Sequence, residues 1–404
     1  MSKAICLYLH VHQPYRVKPY TIFQAGSDHI YFNDETPGLA TNNKFILDKV
    51  AEKSYLPTAA KLQQMLDSTP EFKLSLSISG VLLEQIEQWR PDVLKAFQKL
   101  TSTGRVEILA ETHQHTLAFF YSRHEFERQI EQHRQIVERL FNQNPKVFRN
   151  TELSYNNDLA KWADRAGYKG IITEGWDAIL GWRSPNFVYQ PKDTDNIRLL
   201  MKNYKLSDDL AFRFSNKSWT EWPLTADKYV HWLNALPEDQ PLVNLFMDFE
   251  TFGEHQWEDT GIFEFLGALP SEFMKHGDDR SFVTISEAIE KYQPVDTIDV
   301  PDTITWADTE RDLSAWLGNS MQQDAINQVY ELEERILNTE DKDLIEDWRR
   351  LQTSDHYYYM GTKWFSDGEV HAYFSPYESP YVAFISFMNV LQDLRYRLEL
   401  IEES

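Results

Sequence analysis

The sequence is nearly devoid of cysteine. Cys6 stands alone, which excludes an internal disulfide and a thiolate zinc site and leaves a small apolar side chain between Ile5 and Leu7. Long apolar runs are missing too: no stretch approaches the roughly 20 residues that a membrane-spanning helix needs. The opening residues, MSKAICLYLHVHQPY, pass directly into a strand-like pattern without a signal-peptide cleavage region, so a cytoplasmic location is expected. Positive charge is scarce. Forty Lys and Arg face 63 Asp and Glu, a formal charge of −23 that repels nucleic-acid phosphates and anionic membrane surfaces. A neutral or cationic substrate is expected, with neither nucleic acid nor membrane as partner. There is no internal repeat and no low-complexity tract.

What is present in excess is aromatic: 12 Trp, 20 Tyr and 24 Phe make up 14% of the chain, more than core filling usually demands. Sugar rings account for such a surplus, because the C–H faces of a pyranose stack on aromatic rings and Tyr and Trp add a polar handle. A Trp-rich interface accounts for it equally well. With 404 residues and 42% hydrophobic content the chain can bury one sizeable catalytic domain and a smaller companion.

Along the first 290 or so residues, short β-branched or apolar runs alternate with stretches of helical period, the pattern of βα units around a parallel sheet. Seven strands are predicted: Ala4–His12, Phe72–Ser79, Val106–Ala110, Val147–Asn150, Gly170–Thr173, Ile197–Met201 and Leu242–Met247. Helical stretches such as Lys44–Leu66, Gly80–Leu100 and His124–Phe141 lie between them, and no eighth strand is evident. Lys291–Pro301, with two prolines and no helical period, reads as a linker. Beyond it, 308–350 and 380–402 carry apolar residues at helical spacing among many charges, as in a packed bundle. The expected division is residues 1–295 and 296–404.

In a parallel barrel the strands' C-terminal ends converge on one rim, where catalytic groups gather. Four strands end there in polar residues: LHVHQPYR, EILAETHQH, FRNTELSYNN and NLFMDFETFGEHQ. Glycoside cleavage with retention needs one carboxylate to attack the anomeric carbon and one carboxylic acid to protonate the leaving oxygen, about 5–5.5 Å apart. Glu152 and Asp248, beyond the fourth and seventh strands, can supply both. Each has a plain alternative as a helix cap or an ion-pair partner. Polar Asn150, Thr151 and Tyr155 surround Glu152, whereas Asp248 lies between Met247 and Phe249, a setting that should keep it protonated. That asymmetry makes Glu152 the nucleophile and Asp248 the acid. His10 and His12 share one face of the first strand and read as sugar contacts, structural histidines or two ligands of a metal site. The third ligand would come from His113, His115, Asp248 or His255.

At these segments the chain resembles glycoside hydrolase family 57, the α-glucan-active family of α-amylases, 4-α-glucanotransferases, branching enzymes and amylopullulanases. His10-Val-His12-Gln13-Pro14 is similar to the family's first region, and Gly104-Arg-Val-Glu107-Ile-Leu to its second. Thr151-Glu152-Leu-Ser-Tyr155 resembles the third, and Asp248-Phe-Glu250-Thr-Phe-Gly253 the fourth. Leu351-Gln352-Thr-Ser-Asp355-His356-Tyr-Tyr358 resembles the fifth. The resemblance implies an incomplete seven-stranded parallel (β/α)7 barrel followed by a C-terminal α-helical domain that contributes to the cleft. It implies a retaining mechanism without metal or other cofactor, with Glu152 as nucleophile and Asp248 as general acid/base. It places His10, His12, Gln13, Glu107, Glu250, Asp355 and Tyr358 around the sugar. Trp176, Trp182, Trp219 and Trp222 are candidate stacking platforms. After the aspartate the run Glu254-His255-Gln256-Trp257 is less compact than in many members, and Trp306-Ala-Asp308-Thr-Glu310-Arg311-Asp312 with Trp316 resembles the α-amylase-like branch. The expected substrate is an α-glucan or maltooligosaccharide, hydrolysed at α-1,4 bonds. Alternatives are a 4-α-glucanotransferase, a metal-dependent polysaccharide deacetylase or zinc mannosidase, and a non-catalytic glucan-binding protein.

Overall fold

The computed structural model describes residues 3–33, 35–363 and 373–403. Among the described residues ten strands run in chain order: β1 (Lys3–Val11), β2 (Leu74–Ile78), β3 (Val106–Ile108), β4 (Val147–Arg149), β5 (Gly170–Glu174), β6 (Val188–Pro191), β7 (Arg198–Lys202), β8 (Leu242–Asp248), β9 (Arg280–Phe282) and β10 (Thr297–Ile298). Each of the seven predicted strands corresponds to one of them, with ends shifted by a residue or two. The three that sequence pattern missed are β6, with Gln190 and Pro191 among its four residues, β9, which opens on Arg280 and Ser281, and the two-residue β10, none of which reads as an apolar run. β10 lies inside the segment read as a linker, where it pairs with the end of β6.

The strands form two sheets. One has the order β3-β2-β1-β8 with β9 beside β1, and the other the order β10-β6-β7-β5-β4. All pairings are parallel except β6 with β7. Hydrogen bonds tie the sheets at two seams. Ala110, just past β3, accepts from Arg149 N–H at 2.8 Å and donates to the Val147 carbonyl at 2.9 Å. Across the other seam Asn203 N–H donates to the Asn244 carbonyl at 2.8 Å, and the Asn244 side chain donates to the Met201 carbonyl at 3.0 Å.

Alternation along β1 shows how this arrangement aims side chains. Ala4, Cys6 and Tyr8 pack with Leu109, Ile172, Leu200 and Phe246 from both sheets, whereas Ile5, Leu7 and Leu9 face a second cluster shared with the flanking helices. The series 4, 6, 8 therefore points between the sheets, and His10 continues it at the strand's C-terminal end. In the register His10 stands level with Ser77 on β2 and Asp248 on β8, and Tyr8 one pleat lower, level with Ser75.

The helical stretch from Gly80 to Leu100 is two helices, Gly80–Trp89 and Pro91–Thr101. Pro91 cannot donate and pushes its predecessor out of helical geometry, so Arg90 takes φ −136° and ψ 63°. Beyond residue 313 the described chain is mainly helical. The longest helix, Pro380–Glu402, starts as its sequence advertises, with Ser379 capping Val382 N–H and Pro at the first turn. These helices share an apolar cluster with Tyr15, Val17, Tyr20, Tyr31 and Phe32 from the segment after β1. Among the described residues no helix is long and apolar enough to cross a membrane.

Candidate active site

Glu152 sits on a tight turn after β4. Its φ of 60° and that of Leu153, 51°, are left-handed, a conformation that costs a non-glycine residue about 1–3 kcal/mol. Neighbouring bonds hold the turn: Leu153 N–H donates to the Asn150 carbonyl, Ser154 N–H to the Thr151 carbonyl, and Tyr155 pairs both ways with Ile304. The last pairing lays 304–306 over the turn, so Trp306 donates its backbone N–H to the Glu152 carbonyl at 3.2 Å and its indole N–H to Glu152 Oε2 at 2.9 Å. Ser354 Oγ lies 3.2 Å from Oε1. Burial pushes the Glu152 carboxyl up to about 7, with Asp355 and Asp248 adding to the rise and Arg149 opposing it.

Asp248 ends β8 and lies level with His10. Burial raises its pKa as well, opposed by the charges of His255, Arg149, Lys202 and His12. Beside it Glu250 is buried and accepts from Tyr55 O–H at 2.6 Å and His12 N–H at 3.2 Å. Burial, then the charge of Asp248, pushes Glu250 up to about 8. The sequence asymmetry between a polar Glu152 and an apolar Asp248 is thus corrected. Both carboxyls are desolvated and each raises the other or its neighbour, because Glu152 is roofed by Trp306 rather than left open among Asn150 and Thr151. What separates them is that Glu152 has two oriented donors fixing its oxygens.

Three imidazoles stack beside the pair. His12 and His115 have ring centroids 3.9 Å apart, and His10 and His115 5.1 Å. His12 Nε2 meets Asp355 Oδ2 at 3.0 Å, and His115 Nδ1 lies 3.6 Å from the same oxygen. Burial alone would raise the Asp355 carboxyl, but the charge of His12 and the hydrogen bonds from His12 and His115 outweigh it and hold it well below the ordinary carboxylate range. Gln13, one step beyond His12, accepts from Arg16 Nη2 at 2.7 Å. Tyr358 lies one helical turn beyond Asp355, its ring 6.0 Å from that of Trp316.

Two trios here, His10–Glu111–His115 and His12–His115–Asp355, have ligand-type atoms within 4.8 Å of one another. The chemistry of the donors opposes a metal ion in either. His115 Nε2 lies 3.1 Å from Arg149 Nη1, and a guanidinium only donates, so Nε2 is the ring's acceptor and the proton sits on Nδ1. That leaves no lone pair toward Asp355. In the other trio the Arg149 guanidinium, 3.6 Å from Glu111 Oε2, is already the positive charge. His113 faces elsewhere, bonding Glu84 at 2.8 Å with its ring packed on Gly80, where a Cβ would fall 2.1 Å from Nδ1.

Other sequence expectations fare unevenly. Glu107 is not at this rim. On β3 it pairs with Ser75, one pleat below His10, and accepts from Ser75 Oγ, Ser286 Oγ and Ser286 N–H, anchoring the helix Ile285–Lys291. Its place near the middle of a three-residue strand, not after it, is the reason. Trp219 packs on Trp232 and the core rather than standing free as a platform. Trp176 is half-buried just after β5, Trp222 is exposed beside Lys217, and Trp182 is 91% exposed. The tryptophan that touches Glu152 is Trp306, which sequence reasoning had used only as a branch marker. It also overlooked Arg149, Lys202, Glu111 and Ser354. Lys202, held by Asp208 at 2.9 Å, and Arg149 both approach the Trp306 ring, at 5.6 and 5.4 Å. A charge directly after an apolar run at the strand's C-terminal end was the available signal for both.

Two desolvated carboxyls, Glu152 and Asp248, thus stand at the C-terminal ends of parallel strands, Glu152 gripped by fixed donors. The class comes from comparison with known proteins: the profile of Glycosyl hydrolase family 57 matches residues 6–301, and the chain belongs to that family. A provisionally named α-amylase of Methanocaldococcus jannaschii is 44% identical over 374 residues, covering 90% of this chain and 79% of that protein. Among solved structures, a branching enzyme of Thermococcus kodakaraensis matches with TM-score 0.67 at 14% identity over 89% of this chain and 86% of the other. A 4-α-glucanotransferase of Thermococcus litoralis matches with TM-score 0.63 at 19% identity, over 88% of this chain. The chain spans only 56% of that glucanotransferase. At such identities the structural matches speak to fold alone.

Proposed function

We propose that this protein is a retaining glycoside hydrolase of α-amylase type that cleaves α-1,4 bonds in α-glucans or maltooligosaccharides. The carrying observation is the Glu152–Asp248 pair, both desolvated and Glu152 oriented by Trp306 and Ser354. In this reading Asp248 protonates the glycosidic oxygen as Glu152 attacks the anomeric carbon, and a water activated by Asp248 then releases the sugar from its ester with Glu152. The two sheets and their seams are read as an incomplete (β/α)7 barrel over residues 1–295, and 296–404 as a helical domain that supplies Ser354 and Asp355 to the cleft. His12 and Asp355 are read as holding sugar hydroxyls, with Glu250 supporting His12 from behind. The M. jannaschii relative's name supports the amylase reading.

The test is the product. Maltopentaose cleaved by the enzyme and followed by proton NMR should first release the α-anomer, and a first-formed β-anomer overturns the retaining assignment. Incubation with maltotriose should give only shorter sugars. Longer oligosaccharides would mean that a sugar hydroxyl, not water, resolves the intermediate, and the protein would be a 4-α-glucanotransferase.

A further inference from the structure

Glu152 has two oxygens and two donors, and the origin of the second donor reaches deep into the protein. Arg149 Nη1 donates to His115 Nε2, which fixes the His115 proton on Nδ1. Nδ1 lies 3.1 Å from Ser354 Oγ, so the ring donates and the hydroxyl accepts. The hydroxyl's own proton is thereby free to go to Glu152 Oε1 at 3.2 Å. His10 Nε2 lies 3.2 Å from the same His115 nitrogen, whose single lone pair Arg149 already takes. From Arg149 to Glu152 every hydrogen in the chain has one direction.

Backbone geometry fixes each member. His115 is left-handed, φ 55°. Its carbonyl accepts from Ser354 N–H at 2.9 Å, and the Gln114 carbonyl accepts from Thr353 Oγ1 at 2.9 Å, docking the start of the Ser354–Tyr359 helix onto the loop after β3. All three side chains at the joints, Arg149, His115 and Ser354, are buried.

We infer that Arg149, His115 and Ser354 form a one-way hydrogen-bond relay that holds Glu152 Oε1 as an acceptor, which makes His115 and Ser354 positioning residues for the nucleophile. The inference rests on the function proposed above. The relay stabilises the carboxylate over the carboxylic acid and fixes which lone pair faces the cleft. Trp306 does the same for Oε2. The relay also makes the nucleophile's geometry depend on a residue some two hundred positions away in sequence, on the helical part of the chain.

The experiment compares the full-length wild type with Ser354→Ala, His115→Asn and His115→Gln. An asparagine amide can place an N–H near the former Nδ1 and suits a left-handed residue, whereas a glutamine reaches only the Nε2 position. Two readouts are taken: kcat and KM on maltopentaose, and the titration of the Glu152 side chain by carbon NMR of labelled glutamate, assigned by its disappearance in Glu152→Gln. Expected are kcat losses of roughly 10- to 100-fold in Ser354→Ala and His115→Gln with KM within about threefold, and a smaller loss in His115→Asn. The Glu152 titration should move to higher pH in Ser354→Ala, because a donor to the carboxylate is gone. The other groups facing Glu152 stay in place: Arg149 from β4, Glu111 beyond β3, Asp248 from β8, Asp355 beside Ser354, and Trp306. An unmoved titration in Ser354→Ala overturns the relay, as do equal losses in the two His115 variants. Should Ser354→Ala fail to fold, the two His115 variants decide alone. If the wild type turns over no α-glucan, the functional reading falls, while the titration still tests the relay.

Discussion

Two desolvated glutamates, Glu107 inside β3 and Glu152 at the rim beyond β4, show what separates a structural carboxyl from one placed for chemistry. Glu107 lies on the lower side, where Ser75 and the hydroxyl and amide of Ser286 fill its oxygens and make it the anchor of a helix N-terminus. Glu152 lies at the rim, with one donor on each oxygen and the negative charges of Asp355 and Asp248 nearby. Burial raises both. Only at the rim is the raised carboxyl left with lone pairs to spend on chemistry, and only there is it mounted on a strained left-handed turn. Desolvation marks the candidate and hydrogen-bond saturation decides against it.

The sharpest attempt to break this contrast removes the rim carboxylate. Glu152→Gln keeps shape and both donors' neighbours but cannot form an ester, so kcat/KM on maltooligosaccharides should fall by roughly 10⁴-fold or more. Asp248→Asn should lose roughly 10²- to 10⁴-fold, the usual worth of a general acid. The two are separable. With a good leaving group such as fluoride the Asp248→Asn deficit in forming the intermediate should shrink, because no proton need be delivered, whereas the Glu152→Gln deficit should remain. Equal behaviour of the two variants on both substrates would undo the division of roles.

Much of this was legible in sequence, and the failures have physical reasons. Strands buried on both faces read as apolar runs, which found seven of the ten described strands, and the polar residues that close or follow them marked His10, His12, Glu152 and Asp248. In β6 and β9 polar residues or proline interrupt the run, and β10 is only two residues long. Glu107 was misplaced because an acidic residue inside a strand looks the same in sequence whether it points up to the rim or down to Ser286, and three residues of strand give no count of height. Trp306, Ser354 and Arg149 were missed as site residues because their roles come from tertiary closure. The 304–306 segment reaches Glu152 by pairing with Tyr155, and Ser354 by docking on His115. The charge assignment failed for the same reason, since local polarity around Glu152 says nothing of the indole that covers it.

An intermediate perturbation tests orientation rather than chemistry. Trp306→Phe keeps the ring over the turn but deletes the indole N–H that Glu152 Oε2 accepts, and a hydrogen bond to a charged group is worth about 1.5–3 kcal/mol, so kcat should fall roughly 10- to 100-fold. The same variant should shift the pH profile. Glu152 stands at about 7 and, as the proposed nucleophile, must be ionised to attack, so kcat/KM of the wild type should drop as pH falls through about 7. Losing a donor destabilises the carboxylate and raises its pKa further. The acid limb should therefore move to higher pH, and an unmoved limb would show that Glu152 does not govern it.

The smallest effect on catalysis is expected at the lower glutamate. Glu107→Gln replaces an acceptor that takes three hydrogen bonds with an amide whose NH₂ must face a serine hydroxyl or the Ser286 N–H, leaving at least one buried donor poorly matched. The cost belongs to folding, about 1–3 kcal/mol, read as a lower urea midpoint at unchanged slope. Turnover per folded molecule should stay within about twofold, since no contact of Glu107 reaches Glu152, Asp248 or the histidine stack. A loss of kcat comparable to that of Trp306→Phe would place Glu107 in the cleft after all and would dissolve the contrast between the two ends of the strands.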